Sequence, residues 1–303
     1  MILTVTLNAA LDVTYRVGLL EQGEAHRVEE VRTQAGGKGV NVARVLHALG
    51  HDVMITGLVG GPTGAELRAD LDLPETLVEI AGHTRRTVTV VDDRDATGFN
   101  EPGPPVTPSE WANFLATYEE LASRATVVVL SGSLPSGLPD ETYADLIKRA
   151  PNAKSIVDTA GGALAAALTA HPDVVKPNRY EALSATGIYR TGAAAARLRE
   201  RGARAVIASL DQDGLLALTP DGDWTARLPI PLDGNPTGAG DACVAALAAG
   251  LAAGTPWREL LIEAVALAGS AVVCPVAGEV DLPTYRRSRA EVVLEEAHAH
   301  ADF

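Results

Sequence analysis

The chain has 303 residues, of which 47% are hydrophobic and 21% charged, a balance typical of a folded protein with a sizeable core. Its formal net charge of −14 argues against nucleic acid or an anionic membrane as a partner. The first residues lack a basic leader and no apolar run is long enough to span a membrane, so we expect a cytoplasmic location.

The N-terminal third is predicted to combine one buried strand with a small accessory sheet. Residues 2–7 are apolar and β-branched, which predicts a central strand, and Asp12 follows as either a turn residue or a ligand-binding carboxylate. Residues 13–34 and 85–100 alternate polar and apolar side chains, as strands covered on one face do. We therefore predict about four strands in the accessory sheet, with a hairpin turn at 92–95.

A glycine-rich turn at 36–39, Gly-Gly-Lys-Gly, comes directly before a predicted helix. Apolar residues recur on one helical face through 42–49, so the turn opens that helix. Backbone N–H groups are unpaired at such a helix start, which makes it a place where an anion can bind. On structural grounds alone the glycines would be a loop and Lys38 a surface cation, but a second turn of this kind near residue 238 favours a binding role.

From residue 108 onward, helical and strand patterns alternate regularly. Helices are predicted at 108–123, 139–150, 161–170 and 191–202, and strands at 126–131, 155–158, 174–176 and 205–209. Strands this apolar, joined through helices, form a parallel sheet covered on both faces. Further helices are predicted at 240–253, 257–274 and 287–298. We therefore expect one α/β domain over residues 1–303, with the accessory sheet inserted in its N-terminal half.

Small, polar and charged residues follow the predicted parallel strands, where ligands bind in open α/β sheets. They are Ser131, Gly132, Ser133, Asp158, Lys176, Asn178, Ser209 and Asp211. Glu181 follows Asn178 by three residues, so the two side chains share one helical face and form either a helix cap or part of a Mg²⁺ site completed by water. Arg85 and Arg86 are either a solvated pair or a clamp for a phosphate.

The most informative stretch is 235–242, Asn-Pro-Thr-Gly-Ala-Gly-Asp-Ala, which precedes an apolar helix. It matches neither a Walker A loop nor a dinucleotide fingerprint. Gly238 and Gly240 allow a tight turn and a close approach of a phosphate to the helix start. A carboxylate at Asp241 would repel that phosphate unless it accepts a proton from the attacking hydroxyl. The alternative is a plain loop followed by an acidic residue at a helix start.

Taken together and in order, these motifs resemble the ribokinase-like (PfkB) carbohydrate kinases, and within them the 1-phosphofructokinase/tagatose-6-phosphate kinase branch. The resemblance covers nearly the full length. It is carried by TLNAALD at 6–12, GGKGVNVARVL at 36–46, TRRT at 84–87, FNEPGP at 99–104, SGSLPSG at 131–137, KPNRYE at 176–181 and NPTGAGDA at 235–242. It implies a three-layer α/β sandwich with a mostly parallel central sheet, a small β-sheet lid, and phosphoryl transfer from ATP with Mg²⁺.

The resemblance also implies a role for each motif residue. Asp241 would be the general base, and the transferring phosphoryl group would bind to backbone donors of Gly238, Ala239 and Gly240. The sugar would be held by Asp12, Gly36, Gly37, Lys38, Asn41, Asn100 and Ser133, and its existing phosphate by Arg85 with Lys38 nearby. ATP would lie along Lys176, Asn178, Ser209, Asp211 and Gly214, and Glu181 would position Mg²⁺. In this family the lid commonly pairs with a second lid, so a homodimer is expected.

The chain departs from the family pattern at three places. The phosphosugar branch usually has Asn two residues after the arginine, where Thr87 stands here behind an extra Arg86. The segment 60–83 is shorter than usual. The family's Asp-Thr before the Gly-x-Gly-Asp turn, linked with a monovalent cation site, is Pro236-Thr237 here, which leaves potassium dependence open.

We predict an enzyme that phosphorylates a ketohexose phosphate to a bisphosphate. Fructose 1-phosphate is the first candidate for the acceptor, with tagatose 6-phosphate and fructose 6-phosphate as alternatives. A kinase of a neutral sugar or nucleoside is a second hypothesis, which Arg85 disfavours because a neutral acceptor has no use for a guanidinium beside its pocket. A sugar-binding protein without catalysis is a third, which the presence of Asp241 and Glu181 disfavours.

Overall fold

The computed structural model describes residues 1–94 and 96–297. Asp95, in the predicted hairpin turn, and residue 298, the last of the predicted C-terminal helix, lie outside the described residues. The strands in chain order are β1 (Ile2–Thr6), β2 (Ala10–Arg16), β3 (Glu30–Gly36), β4 (Val53–Val59), β5 (Glu75–Glu79), β6 (Arg85–Val91), β7 (Ala96–Asn100), β8 (Val127–Ser131), β9 (Lys154–Asp158), β10 (Val174–Val175), β11 (Ala205–Ser209), β12 (Leu215–Thr219), β13 (Gly222–Arg227) and β14 (Val293–Glu296).

Ten α-helices are formed by the described residues. They are α1 (Lys38–Ala48), α2 (Gly61–Asp70), α3 (Pro108–Ala122), α4 (Thr142–Arg149), α5 (Gly161–Ala167), α6 (Arg179–Thr186), α7 (Thr191–Glu200), α8 (Ala239–Ala253), α9 (Trp257–Val272) and α10 (Leu282–Glu291). Within the described part of the chain, no helix is both long and apolar enough to cross a membrane.

The large sheet has ten strands in the order β14-β13-β12-β11-β10-β9-β8-β1-β4-β5. The strands from β11 to β5 are parallel, and β12, β13 and β14 extend one edge in antiparallel pairing. One face buries apolar side chains against α1, α8 and α9, and the other against α3, α4, α5 and α7. The expected three-layer arrangement with a mostly parallel sheet is therefore confirmed.

The four-stranded small sheet has the order β3-β2-β6-β7. In its register Asp12 lies opposite Thr87, and Thr87 opposite Asn100, so these polar residues share one face. The adjacent register row places Val88 opposite Phe99 on the other face. The small sheet thus has a polar face and an apolar face, as the alternation in its sequence predicts.

Three local predictions were wrong or incomplete. Asp12 is not a turn residue after β1, because the chain turns at 7–9 and Asp12 lies within β2. The helix predicted at 287–298 ends at Glu291, and residues 293–296 form β14, because the open edge of β13 offers them backbone partners. The strands β5, β12 and β13 were not predicted from the sequence.

Candidate active site

A cleft of about 1350 Å³ lies where the carboxyl ends of the parallel strands meet the polar face of the small sheet. It brings together nearly all of the predicted site residues. Those that line it are Asp12, Gly37, Lys38, Asn41, Arg85, Asn100, Ser133, Lys176, Asn178, Glu181, Ser209, Asp211, Gly214, Gly238, Ala239, Gly240 and Asp241. Gly36 stands behind the lining, and a Cβ there would overlap the carboxylate of Asp12. Gly36 therefore leaves room for Asp12.

The glycine turn before α8 forms a cradle at the centre of the cleft. Gly238 is the N-cap of α8 with φ 92°, a conformation that favours glycine, and a Cβ there would lie 2.8 Å from Cα of Ala277. A Cβ on Gly240 would lie 3.3 Å from Nζ of Lys176. A helix start with a lysine ammonium beside it can bind an anionic phosphoryl group.

Asp241 lies in the first turn of α8 and is 7% exposed. Nδ2 of Asn41, in α1, donates a hydrogen bond of 2.8 Å to Oδ2 of Asp241. Burial, together with the negative charge of Asp158, raises the pKa of Asp241 to about 7, against the lowering effect of the Asn41 hydrogen bond and of Lys38 and Lys176. A carboxylate with a pKa near neutral is suited to accept a proton from a hydroxyl.

Asp158, at the end of β9, links two lysines beside the cradle. Its Oδ1 is 3.2 Å from Nζ of Lys38 and 3.6 Å from Nζ of Lys176, and Asp158 itself is 1% exposed. Burial lowers the pKa of both lysines, but Asp158 and the neighbouring carboxylates outweigh it, so that both pKa values are raised. Both lysine side chains therefore stay charged beside the cradle, where positive charge would stabilise a bound polyphosphate.

Asn178 and Glu181 form the reciprocal cap of α6. The Asn178 side chain accepts from the backbone N–H of Glu181, and Oε2 of Glu181 accepts from the backbone N–H of Asn178, both at 2.8 Å. The capping alternative is therefore what the structure shows. Oε1 of Glu181 faces the cleft and lies 3.4 Å from Nζ of Lys38, so capping and a role in the cleft are compatible.

Few carboxylate oxygens in the cleft are available as ligands for Mg²⁺. Oδ2 of Asp158 is buried without a hydrogen-bond partner, and Oε1 of Glu181 is paired only with Lys38 among the described residues. No cluster of three or more His, Cys, Asp or Glu residues suited to a metal occurs in residues 1–94 and 96–297. Two carboxylate oxygens fit an ion that takes its other ligands from phosphates and water.

Arg85, at the start of β6, lies at the small-sheet end of the cleft. Its Nε donates to the backbone oxygen of Asn8 at 3.2 Å, and its Nη1 to Oγ1 of Thr87 at 3.3 Å. Burial raises the pKa of Asp12 to about 6, against the lowering effect of the Arg85 charge. Asn8 also donates from Nδ2 to Oγ of Ser133 at 2.9 Å. Polar groups therefore converge here around one partly buried guanidinium.

Two parts of the cleft were missed by sequence reasoning. Asp158 was recognised as a strand-end residue but was given no role, because its contacts with two lysines come from separate elements. An apolar end of the cleft is lined by Leu228, Leu232, Val265 and Gly269. A side chain at Gly269, in α9, would crowd this end of the cleft, because its Cβ would lie 2.9 Å from Cδ1 of Leu228. A glycine inside a predicted helix was therefore a sequence feature that could have indicated this end of the cleft.

A model of the pfkB family of carbohydrate kinases matches residues 5–284. The chain belongs to this family. The match includes both sheets except for β14 and the start of β1, and it includes every predicted site residue. Carbohydrate kinases are phosphotransferases, and the Gly-x-Gly-Asp turn and the residues that line the cleft lie within the matched region.

Solved structures of similar fold agree with this membership. Phosphofructokinase-2 from Escherichia coli in complex with potassium is 27% identical, with 95% of this chain and 98% of that chain covered and a TM-score of 0.88. The same protein in complex with fructose-6-phosphate is 28% identical, with the same coverage and a TM-score of 0.86. A protein described as a possible 1-phosphofructokinase from Thermotoga maritima is 26% identical, with 98% and 99% covered and a TM-score of 0.88.

Ribokinase from Arabidopsis thaliana, complexed with ribose and ATP, shares the fold at 21% identity. The alignment covers 95% of this chain and 98% of that chain, with a TM-score of 0.74. The predicted ribokinase-like fold is thus confirmed.

Proposed function

We propose that this kinase transfers the γ-phosphoryl group of ATP to a hydroxyl of a ketohexose phosphate, forming a bisphosphate. Fructose 1-phosphate is the first candidate, and fructose 6-phosphate and tagatose 6-phosphate are the alternatives. The observation that carries the proposal is one cleft with a buried carboxylate at the helix start, Asp241, and a guanidinium at the far end, Arg85. Similarity to phosphofructokinase-2 from Escherichia coli and to a protein described as a possible 1-phosphofructokinase supports it.

Asp241 acts as the general base in this proposal. It accepts the proton of the acceptor hydroxyl as the new oxygen–phosphorus bond forms and the bond between the γ-phosphorus and the β-phosphate oxygen breaks, releasing ADP. Asn41 holds one carboxylate oxygen, so that the other is free to face the hydroxyl. The backbone N–H groups of Gly238 and Gly240 would donate to the transferring phosphoryl oxygens, whereas that of Ala239 already donates to the carbonyl oxygen of Pro236 at 3.2 Å. Lys176 lies beside the turn and would balance the phosphoryl charge.

The nucleotide is proposed to lie along the large-sheet side of the cleft. Lys176, Asn178, Ser209, Asp211 and Gly214 line this side. The apolar end between Leu228 and α9 offers a slot for a flat nucleobase. Mg²⁺, when bound, supplies charge neutralisation at the phosphates, and Asp158 and Glu181 are the residues that would hold it.

The acceptor is proposed to lie between Asp241 and the small sheet. Asp12, Asn100 and Arg85 line this part of the cleft. Asp12 and Asn100 would bind sugar hydroxyls, and Arg85 would bind the phosphate already on the sugar. Lys38 is paired with Asp158 and Glu181, near Asp241. We therefore place its ammonium between the acceptor and the transferring phosphoryl group.

The test is ADP release with a panel of ketohexose 1-phosphates, 6-phosphates and their unphosphorylated parents. The proposal expects one phosphorylated ketohexose to have the highest kcat/KM, and Asp241→Asn to abolish most of that release. If a free sugar or a nucleoside is the best acceptor, the phosphosugar assignment fails while the kinase assignment stands. If no acceptor gives ADP, the catalytic assignment fails as well.

A further inference from the structure

Two segments meet behind the phosphate cradle. The backbone N–H of Asn235 donates to the carbonyl of Val272 at 2.7 Å. A Cβ on Gly234 would overlap that same carbonyl, and a Cβ on Gly238 would lie 2.8 Å from Cα of Ala277. The chain before α8 is therefore pressed against the chain that follows α9, and we call this contact between 234–238 and 272–278 the junction.

The Asn235 side chain spans the junction with both ends of its amide. Its Nδ2 donates to the carbonyl oxygen of Pro275 at 3.1 Å, and its Oδ1 accepts from the backbone N–H of Thr237 at 3.0 Å. The two partners are a pure acceptor and a pure donor, so the amide has one orientation that satisfies both. The carbonyl of Pro275 thus has its hydrogen bond supplied from within the protein.

The junction supports the residues that hold the proposed base. Gly238 is the N-cap of α8, which carries Asp241. On the other segment, a Cβ on Gly278 would lie 3.3 Å from both Cα and Oδ1 of Asn41, the residue hydrogen-bonded to Asp241. Displacement of either segment would therefore move Asp241 or its partner.

A monovalent cation does not fit the place of this amide. Resemblance to the family connects such a cation with the residues just before the Gly-x-Gly-Asp turn, and a cation there needs oxygen ligands. Asn235 instead presents an N–H donor to the Pro275 carbonyl, and its single side-chain oxygen is used by Thr237. A cation that took over that carbonyl would have to displace this hydrogen bond.

We propose that Asn235 is a positioning residue that closes the junction with its own amide, so that turnover needs no monovalent cation. An aspartate at position 235 would place a carboxylate oxygen beside the carbonyl oxygen of Pro275. These two acceptors would repel each other, and a cation between them would relieve the repulsion. Asn235→Asp should then convert a cation-independent enzyme into one that is activated by potassium.

The experiment compares K⁺, Na⁺ and tetramethylammonium chlorides at equal ionic strength. Wild-type kcat should agree within about twofold among the three salts, since no hydrogen bond depends on the cation. The kcat of Asn235→Asp should be about tenfold or more below that of the wild type in tetramethylammonium and should recover with K⁺, as expected for a contact to a charged group. Asn235→Ala should lose turnover that K⁺ does not restore, because neither the amide nor a carboxylate is present.

A thermal readout separates this inference from the kinase assignment. The turnover measurement is informative only if the proposed kinase function is correct, whereas the measurement of the unfolding temperature, Tm, does not depend on that function. The wild-type Tm should be the same in K⁺ and tetramethylammonium, and K⁺ should raise the Tm of Asn235→Asp. A K⁺-dependent rise in the wild-type Tm, or wild-type turnover that drops about tenfold without K⁺, would overturn the inference even if Asn235→Asp fails to fold.

Discussion

At the scale of single residues, the proposal depends first on Asp241. Asp241→Asn keeps the shape of the side chain and removes the group that accepts the proton. We expect kcat to fall by ~10²–10⁴-fold, the usual contribution of a general base, while the Kd for ATP changes little. Single-turnover kinetics and nucleotide titration measure the two quantities. Near-wild-type turnover of this variant would remove Asp241 from the assigned role.

Asn41 is one of the residues expected to affect the pH range in which the proposed base works. The proton is accepted only by ionised Asp241, so kcat/KM should fall as the pH drops through the pKa of about 7. The Asn41 hydrogen bond lowers that pKa, and Asn41→Ala should therefore move the acidic limb of the profile to higher pH by about 1.

The matched control for this pH profile is Asn100→Ala. Asn100 lines the same cleft from β7 of the small sheet. Asn100→Ala should change the KM for the sugar and leave the acidic limb of the pH profile at its wild-type position. If both variants shift the limb equally, or neither does, the Asn41 contact does not tune Asp241.

At the scale of elements, the small sheet has an apolar face that it cannot bury alone. Val31 is 58% exposed and Phe99 56% exposed, and the register places both on the face opposite Asp12 and Asn100. Leu11 and Val13 on the same face are buried within the chain, so the uncovered part lies around Val31 and Phe99, and association would bury it. We propose a homodimer joined through this face.

The dimer proposal predicts a change in sedimentation. The wild-type chain should sediment as a dimer at micromolar concentration, and Val31→Glu should shift it toward the monomer because the change buries a charge at the interface. Tyr189→Glu is the control, since Tyr189 is 87% exposed and lies between α6 and α7, in the loop on the large-sheet side. A fully active wild-type monomer would contradict the proposal.

The elements also show what the sequence could and could not predict. Apolar strands and glycine turns depend on local patterns, so the parallel sheet and the start of α8 could be predicted closely. β14 could not, because residues 293–296 become a strand only when the edge of β13 is present. The double use of Glu181, as a cap and toward Lys38, likewise depends on α1 and α6 meeting in space.

At the scale of the whole molecule, we propose that residues 1–303 form one domain. The polar face of the small sheet and the strand ends of the large sheet line a single cleft, so neither sheet has a complete site alone. The net charge of −14 gives the molecule a field that opposes an anionic acceptor. We therefore expect selection of the proposed phosphosugar to depend on the few cations within the cleft.

Arg85 and Arg86 provide a matched pair for testing that dependence. Arg85 lines the cleft and is half-buried, whereas its neighbour Arg86 is exposed and stands outside the lining. A charge-assisted contact to a phosphate contributes ~1.5–3 kcal/mol, so loss of the Arg85 contact should cost ~10–10²-fold in kcat/KM for the phosphorylated acceptor.

The most direct measurement is the ratio of kcat/KM for fructose 1-phosphate to that for fructose in the wild type, Arg85→Ala and Arg86→Ala. The wild-type ratio should be ~10²–10⁴, Arg85→Ala should lower it by ~10–10²-fold, and Arg86→Ala should leave it within about threefold. If fructose 1-phosphate proves a poor acceptor, the same ratio is measured for the best phosphosugar of the panel and its parent. A ratio near one in the wild type for every phosphosugar, or equal losses in the two variants, would contradict the phosphosugar assignment.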